Sequence, residues 1–199
     1  MEIKFVYFDI GNVFHTFEHL FEKVAKDFGK KPDDFGDMFD KYSDQITDGK
    51  INAKKLWKYC CQELNIKNGE NYDFAKAWVS DYKLIPEMHE LAKRIAQKYR
   101  VGLLSNHYIG AYSETVKQGM IPDLKYDSVV VSSEVHCKKP EPGIYKIAQD
   151  RAGVKTGEIF FIDDKKENLF AAIEFGWQTF LFDYKNPDKS CEELRIILL

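Results

Sequence analysis

Four small polar clusters in this 199-residue chain each stand close behind a short apolar run. Asp9 ends Phe5-Val6-Tyr7-Phe8, and Ser105-Asn106 follows Val101-Gly102-Leu103-Leu104. Lys138-Lys139-Pro140 comes soon after Val129-Val130-Val131, and Asp163-Asp164 ends Ile159-Phe160-Phe161-Ile162. A carboxylate can attack phosphorus and split a hydrolysis into two easier steps. A hydroxyl and neighbouring N–H groups can cradle phosphoryl oxygens. A fixed ammonium offsets the repulsion between a carboxylate and a phosphate dianion. Adjacent acids behind four apolar residues are costly unless a cation compensates them, and Mg2+ favours oxygen ligands. Alone, each cluster has a plain structural reading. Asp9 can cap a turn, Ser105-Asn106 can be a polar turn, Lys138 can face solvent, and two acids favour a helix N-terminus. Brought to one rim, they are the equipment for hydrolysing a phosphate ester.

The elements that would bring them together are strands. The near-continuous apolar character of residues 4–8, 100–104, 128–132, 159–162 and 179–182 is that of strands buried on both faces. Helical patterns separate them: one starting at Pro86 and running through Ala96, then about 108–118, about 141–151 closed by Gly153, and 166–175 ending at Gly176. Strands alternating with helices predict an α/β fold, a doubly wound parallel sheet with right-handed crossovers. In such sheets the strand carboxyl ends form the ligand crevice. Residues 16–82 break the rhythm and read as about four helices, punctuated at Lys31-Pro32, Asp48-Gly49 and Asn68-Gly69. Inserted after the first strand, they would sit over the strand ends. Trp57, Tyr59 and Trp78 are candidates for a substrate slot there, although aromatics at helical spacing more often form a bundle core.

The order of the four clusters resembles the signature motifs of the haloacid dehalogenase-like (HAD) hydrolases along almost the whole chain. Lys139-Pro140-Glu141-Pro142 leading to Ile144-Tyr145, and Asn168 four residues after Asp164, strengthen the likeness. The resemblance implies a Rossmannoid core of 1–15 and 83–199, with a helical type 1 cap at 16–82. It implies Asp9 as nucleophile, with Ser105 and Lys139 also catalytic, and Ser105, Asn106 and Lys139 binding the phosphate. A Mg2+ cofactor would be held by Asp9, the backbone carbonyl of Gly11 and Asp164, with Asp163 second or through water. Asn168 would brace that loop. The implied activity is a Mg2+-dependent phosphatase of a small phosphorylated metabolite, such as a sugar phosphate, through an aspartyl phosphate.

One position departs from the pattern. Most HAD phosphatases carry a second aspartate two residues after the nucleophile as general acid and base, and here that residue is Gly11. General acid–base catalysis is worth roughly 10²–10⁴ in rate, or about 3–5 kcal/mol of barrier. The Asp-x-Gly-Asn-Val string at 9–13 resembles a subgroup acting on sugar 1-phosphates, where the leaving oxygen departs readily. His15, His19 and His107 are the candidate replacement donors. The competing readings are a 2-haloacid dehalogenase, which lacks both the second aspartate and the acidic pair, and a non-catalytic phosphate-binding protein.

Composition bounds the partners. A net charge of −3 gives no basic footprint for nucleic acid, and no apolar run is long enough to span a membrane. Cys60, Cys61, Cys137 and Cys191 show no metal spacing and are expected as reduced thiols. With an acid at Glu2 and no cleavable apolar stretch, a cytoplasmic protein is expected. The oligomeric state is not encoded in any pattern.

Overall fold

The computed structural model describes residues 2–17 and 19–199. Strands β1 (Phe5–Phe8), β4 (Arg100–Ser105), β5 (Ser128–Val131), β6 (Ile159–Asp163) and β7 (Gln178–Leu181) form one parallel sheet in the order β5-β4-β1-β6-β7. Each expected strand is present, shifted by one residue or so at its ends. β1 is central, so the chain reverses direction of travel across the sheet on either side of it. That reversal opens a crevice at the carboxyl ends of β1, β4 and β6. The register pairs Phe8 with both Leu103 and Ile162, which brings the residues following β1 beside the ends of its neighbours.

Alternate side chains of β1 feed two separate cores. Val6 and Phe8 pack with Leu103 and Ile162 against Met88, Leu91 and Ile95 of α5 (Pro86–Ile95) and Leu194 and Leu198 of α10 (Pro187–Leu198). Phe5 and Tyr7 pack on the other face with Ile144 and Tyr145 of α8 (Pro142–Ala152) and Leu169 and Ala172 of α9 (Lys166–Glu174). The Tyr7 hydroxyl hydrogen-bonds Ser128 Oγ and the Ala148 carbonyl, each at 2.8 Å, so its burial leaves no orphan polar atom. Gly102 makes room for that ring, because a Cβ there would lie 2.6 Å from Tyr7 and 2.8 Å from the Ser128 carbonyl oxygen.

Between β1 and α5 lies the helical segment: α1 (Glu22–Phe28), α2 (Pro32–Thr47), α3 (Ala53–Glu63) and α4 (Phe74–Ser80). A two-stranded antiparallel ribbon, β2 (His15–Thr16) with β3 (Lys83–Leu84), brackets it. Asn52 and Asp73 cap α3 and α4 by accepting from Lys55 N and Lys76 N, and Pro32 opens α2. Phe21, Phe35, Trp57, Phe74 and Trp78 form its apolar centre. That centre does not stop at residue 82, because Ala111 of α6 (Ala111–Lys117), Tyr108 and Met120 belong to it too. The expected helix at 108–118 begins only at Ala111, after Gly110 at φ 92°. The ribbon, the short α7 (Ser132–Val135) and α10 are additional to the expected elements.

Candidate active site

The sheet brings Asp9, Ser105, Lys139, Asp163 and Asp164 to one rim. Three of them, with Asp164, line a cavity of about 480 Å³ beneath the helical segment, and Asp163 lies directly behind it. Lys139 is the hub. Its ammonium is 2.9 Å from Asp9 Oδ1 and 2.6 Å from Asp163 Oδ2, with 1% of the side chain exposed. Burial opposes that charge, but Asp163 and Asp9 outweigh it and hold the pKa above the ordinary lysine value. Asp9 Oδ1 also accepts from Ile10 N at 2.7 Å, which fixes the carboxylate's orientation.

Carboxylate oxygens of Asp9, Asp163 and Asp164 lie within 4.8 Å of one another. Burial and the proximity of Asp9 raise the Asp164 carboxyl above the usual range, and burial pushes Asp163 up to about 6 despite Lys139. An all-oxygen donor set crowded with negative charge is the environment a hard divalent cation relieves. The two acids differ in their commitments. Asp163 is fully buried, and both its oxygens accept from Asn168 Nδ2 at 3.0 Å, while Oδ1 also accepts from Lys165 N at 2.8 Å. Asp164 faces the cavity and accepts one hydrogen bond, from Asn12 Nδ2 at 2.9 Å. Asn168 is therefore tied to Asp163, while its own carbonyl accepts from the Tyr145 hydroxyl.

Ser105 is buried and lines the cavity. Asn106 lines it too, but its side chain is engaged elsewhere. Its Oδ1 accepts from Lys139 N and its Nδ2 donates to the Lys139 carbonyl, both at 2.8 Å. The asparagine thus clamps the backbone of the lysine, and its own backbone remains the part available to a ligand. Gly11 does not sit at positive φ, yet a Cβ there would lie 2.7 Å from the tip of the Phe17 ring. Phe17 stands edge-on to His15 and Tyr82, which stack on each other at 4.3 Å.

The histidines are not arranged as proton donors. His107 is buried, its Nδ1 accepts from Tyr108 N and its Nε2 meets Thr115 Oγ1 at 3.3 Å. Since Nδ1 is an acceptor, the proton sits on Nε2, pointing at Thr115. Burial pushes its pKa down to about 4. His15 is fully buried, without a hydrogen-bond partner on either ring nitrogen, and burial pushes it down to about 3. His19 pairs with Glu22 at the surface. Of the three aromatics offered as a substrate slot, only Trp78 lines the cavity. Trp57 donates to the Gly69 carbonyl within the bundle, and Tyr59 stacks on Tyr42. Packing claims the other two, as helical spacing alone already favoured.

Residues the motifs did not single out complete the wall. Asn12, Phe17, Leu20, Phe39, Ser43, Asp44, Thr47, Tyr82 and Tyr108 line the cavity. Lys138, read as solvent-facing, lines it as well and is tied to Asp44 and Asp48 of the helical segment. Only Asn12 had a sequence signal, its place within 9–13.

The fold and site are those of a doubly wound hydrolase with its charged groups at the switch point. The profile of the haloacid dehalogenase-like hydrolases matches residues 11–182, and the chain belongs to that family. It is 25% identical to the D-ribitol-5-phosphate phosphatase of Bacteroides thetaiotaomicron, over 98% of each protein. It is 32% identical over 89 residues to (S)-2-haloacid dehalogenase 4A of Burkholderia cepacia, a match to 45% of this chain and 38% of that protein. A HAD family enzyme of B. thetaiotaomicron, solved in complex with magnesium and inorganic phosphate, shares the fold. Its TM-score is 0.75 at 23% identity, covering 92% of this chain and 95% of that one. Among the described residues no helix is long and apolar enough to cross a membrane, and all four cysteines are free.

Proposed function

We propose that this chain is a Mg2+-dependent phosphatase that releases phosphate from a small phosphorylated metabolite, with a sugar or polyol phosphate as the finer reading. The observation that carries it is the strand-end carboxylate Asp9, oriented by Lys139 and Ile10 N, beside two further acids in a roofed cavity. Full-length similarity to a sugar-alcohol phosphate phosphatase supports it.

In this reading the Asp9 carboxylate attacks phosphorus, forming an acyl phosphate as the ester P–O bond breaks and the departing alkoxide takes a proton from water. Water then cleaves the acyl phosphate, returning Asp9 and releasing phosphate. Lys139 offsets the meeting of two anions, while the Ser105 hydroxyl and the Asn106 N–H hold phosphoryl oxygens. Asp9, Asp164 and the Gly11 carbonyl would hold Mg2+, with Asp163 behind them. When bound, the ion neutralises charge on the transferring phosphoryl group. Asn106 and Asn168 position Lys139 and Asp163 respectively. Residues 16–82 serve as a cap over the core of 1–15 and 83–199, excluding water.

The second reading, a 2-haloacid dehalogenase, draws on the partial match to such an enzyme. The paired acids Asp163 and Asp164 speak against it. The test is phosphate release from p-nitrophenyl phosphate and a panel of phosphorylated metabolites, with Mg2+ and with excess chelator. Mg2+-dependent release is expected. Chloride release from 2-chloropropionate in chelator, without phosphatase activity, would establish the dehalogenase instead. Binding of phosphate without either turnover would indicate a non-catalytic protein.

A further inference from the structure

Phosphoryl transfer accounts for the charged rim of the cavity but not for the space where the rest of a substrate must lie. Aromatic side chains wall that space: Phe17, Phe39, Trp78, Tyr82 and Tyr108. Two of these carry hydroxyls. A buried phenol O–H normally finds a partner, because leaving it unpaired costs free energy. The hydroxyls of Tyr7, Tyr99, Tyr126 and Tyr145 each donate to a carbonyl of the chain. Tyr82 is 5% exposed and Tyr108 is partly buried, yet among the described residues neither hydroxyl has a hydrogen-bond partner. The polar atoms sealed without a partner, such as both nitrogens of His15 and Nε1 of Trp78, do not include them. Each hydroxyl therefore keeps accessible surface, and the space these two residues border is the cavity.

Both rings are held in place by their neighbours. Tyr108 stacks on Trp78 with centroids 5.2 Å apart and meets Phe39 edge-on at 5.3 Å. Tyr82 stacks on His15 at 4.3 Å and stands edge-on to Phe17 at 5.0 Å. Tyr108 comes just past Ser105-Asn106, close enough to the nucleophile to feel its charge. Burial, Asp9 and Asp40 hold its phenol protonated, and burial with the neighbouring Tyr108 does the same for Tyr82. An uncharged phenol both donates and accepts a hydrogen bond, as an alcohol does. Rings already fixed by packing leave little ordering cost when a ligand arrives.

We propose that Tyr82 and Tyr108 determine specificity: their hydroxyls bind hydroxyl groups on the organic part of the substrate, while the aromatic walls pack on its carbon skeleton. The pocket thereby selects polyhydroxylated phosphate monoesters over apolar ones of equal length. The proposal rests on the phosphatase reading above and names the residues that read its substrate.

Glucitol 6-phosphate and n-hexyl phosphate share a six-carbon chain and a primary phosphate ester, and differ in the hydroxyls on the other carbons. The wild type is expected to favour glucitol 6-phosphate in kcat/KM by about 20-fold or more, the scale of two neutral hydrogen bonds. Tyr82→Phe and Tyr108→Phe should each narrow that ratio by about fivefold, chiefly through KM for glucitol 6-phosphate, and the double variant should abolish it. A residue that only shapes the fold, or one that holds the phosphoryl group common to both esters, would change both rates alike and leave the ratio where it was. The ratio is internal to each protein, so a lower folded fraction does not move it. A wild type without preference for glucitol 6-phosphate, or a ratio unmoved in the double variant, would overturn the proposal. Failure of the phosphatase reading would show separately, as no Mg2+-dependent turnover of p-nitrophenyl phosphate. The ratio is then read from calorimetric dissociation constants of the two esters, and equal ratios for the wild type and the double variant also overturn the proposal.

Discussion

Lys138 and Lys139 are neighbours in the chain, and each meets two carboxylates, but the two sets of partners come from different kinds of scaffold. Asp9 follows β1 and Asp163 ends the adjacent β6, so the sheet register sets the two carboxylates side by side, while Asn106 clamps the backbone of the loop lysine that meets them. Asp44 and Asp48 arrive on α2 of the helical segment, and Asp44 is largely exposed. The comparison teaches that one cavity wall can be held from two scaffolds at once, through two lysines joined by a single peptide bond.

The largest effect is expected on the side of the sheet. Asp9→Asn should lower kcat by more than about 10², because nucleophile and metal ligand are lost together. Retention of more than about 1% of the rate, after correction for deamidation, would rule out a carboxylate nucleophile. Asp164→Ala should remove activity together with its dependence on Mg2+, and titration of the wild type with chelator should do the same. Full activity in excess chelator would end the metal assignment.

Stability separates the two lysines directly. Lys139→Met leaves two buried carboxylates facing each other and should cost about 3–5 kcal/mol, against about 1 kcal/mol or less for Lys138→Met. Urea denaturation of both variants at neutral pH measures the difference, and equal losses would dissolve the contrast. The histidines set a pH limit on both scaffolds. His107 and His15 are held neutral in the fold, with pKa values pushed down to about 4 and about 3, so the unfolded chain binds protons more readily than the native one. Their stabilising contribution is complete above the unfolded value of about 6.5 and is lost as pH falls towards 4 and then 3. At pH 5 the loss is about 2 kcal/mol for each ring. His107→Gln should flatten the fall in urea midpoint between pH 7 and pH 5; an identical fall would remove His107 from the account.

The smallest effect concerns Gly11. Gly11→Asp brings a Cβ against the tip of the exposed Phe17 ring and should cost about 0.5–1.5 kcal/mol, the range for turning a side chain off its rotamer. Adding Phe17→Ala should return most of that loss, because it removes the ring. Melting temperatures of the single and double variants decide it: if the double variant is no more stable than the single, the obstruction lies elsewhere.

The sheet and its charged rim were legible because buried parallel strands leave long apolar runs and the polar residues stand directly behind them. Asp9, Ser105 and Asp163 stand in that position, whereas Lys139 lies further on and was marked by the Lys-Pro-x-Pro string that follows the last valine run. The destination of a side chain was not legible. Nothing local tells that the amide of Asn106 turns to the backbone of Lys139, or that the Nε2 proton of His107 points to Thr115. Those outcomes depend on which segments fold alongside. The two-residue ribbon of β2 and β3 is too short to show a period. α10 does carry a helical signal, in Pro187 followed by Cys191, Leu194 and Leu198, although it lies beyond the last strand and the last polar cluster. Asp44 and Phe17 became visible only once the helical segment was seen seated on the rim.

The apolar centre of the helical segment draws in Tyr108, Ala111 and Met120 from beyond it. The segment is therefore not a detachable module. Grafting residues 16–82 onto another hydrolase core would leave half of an interface behind, and a working transplant has to carry the stretch from Tyr108 to Met120 as well. The unit that packs together above the rim is therefore discontinuous in the chain.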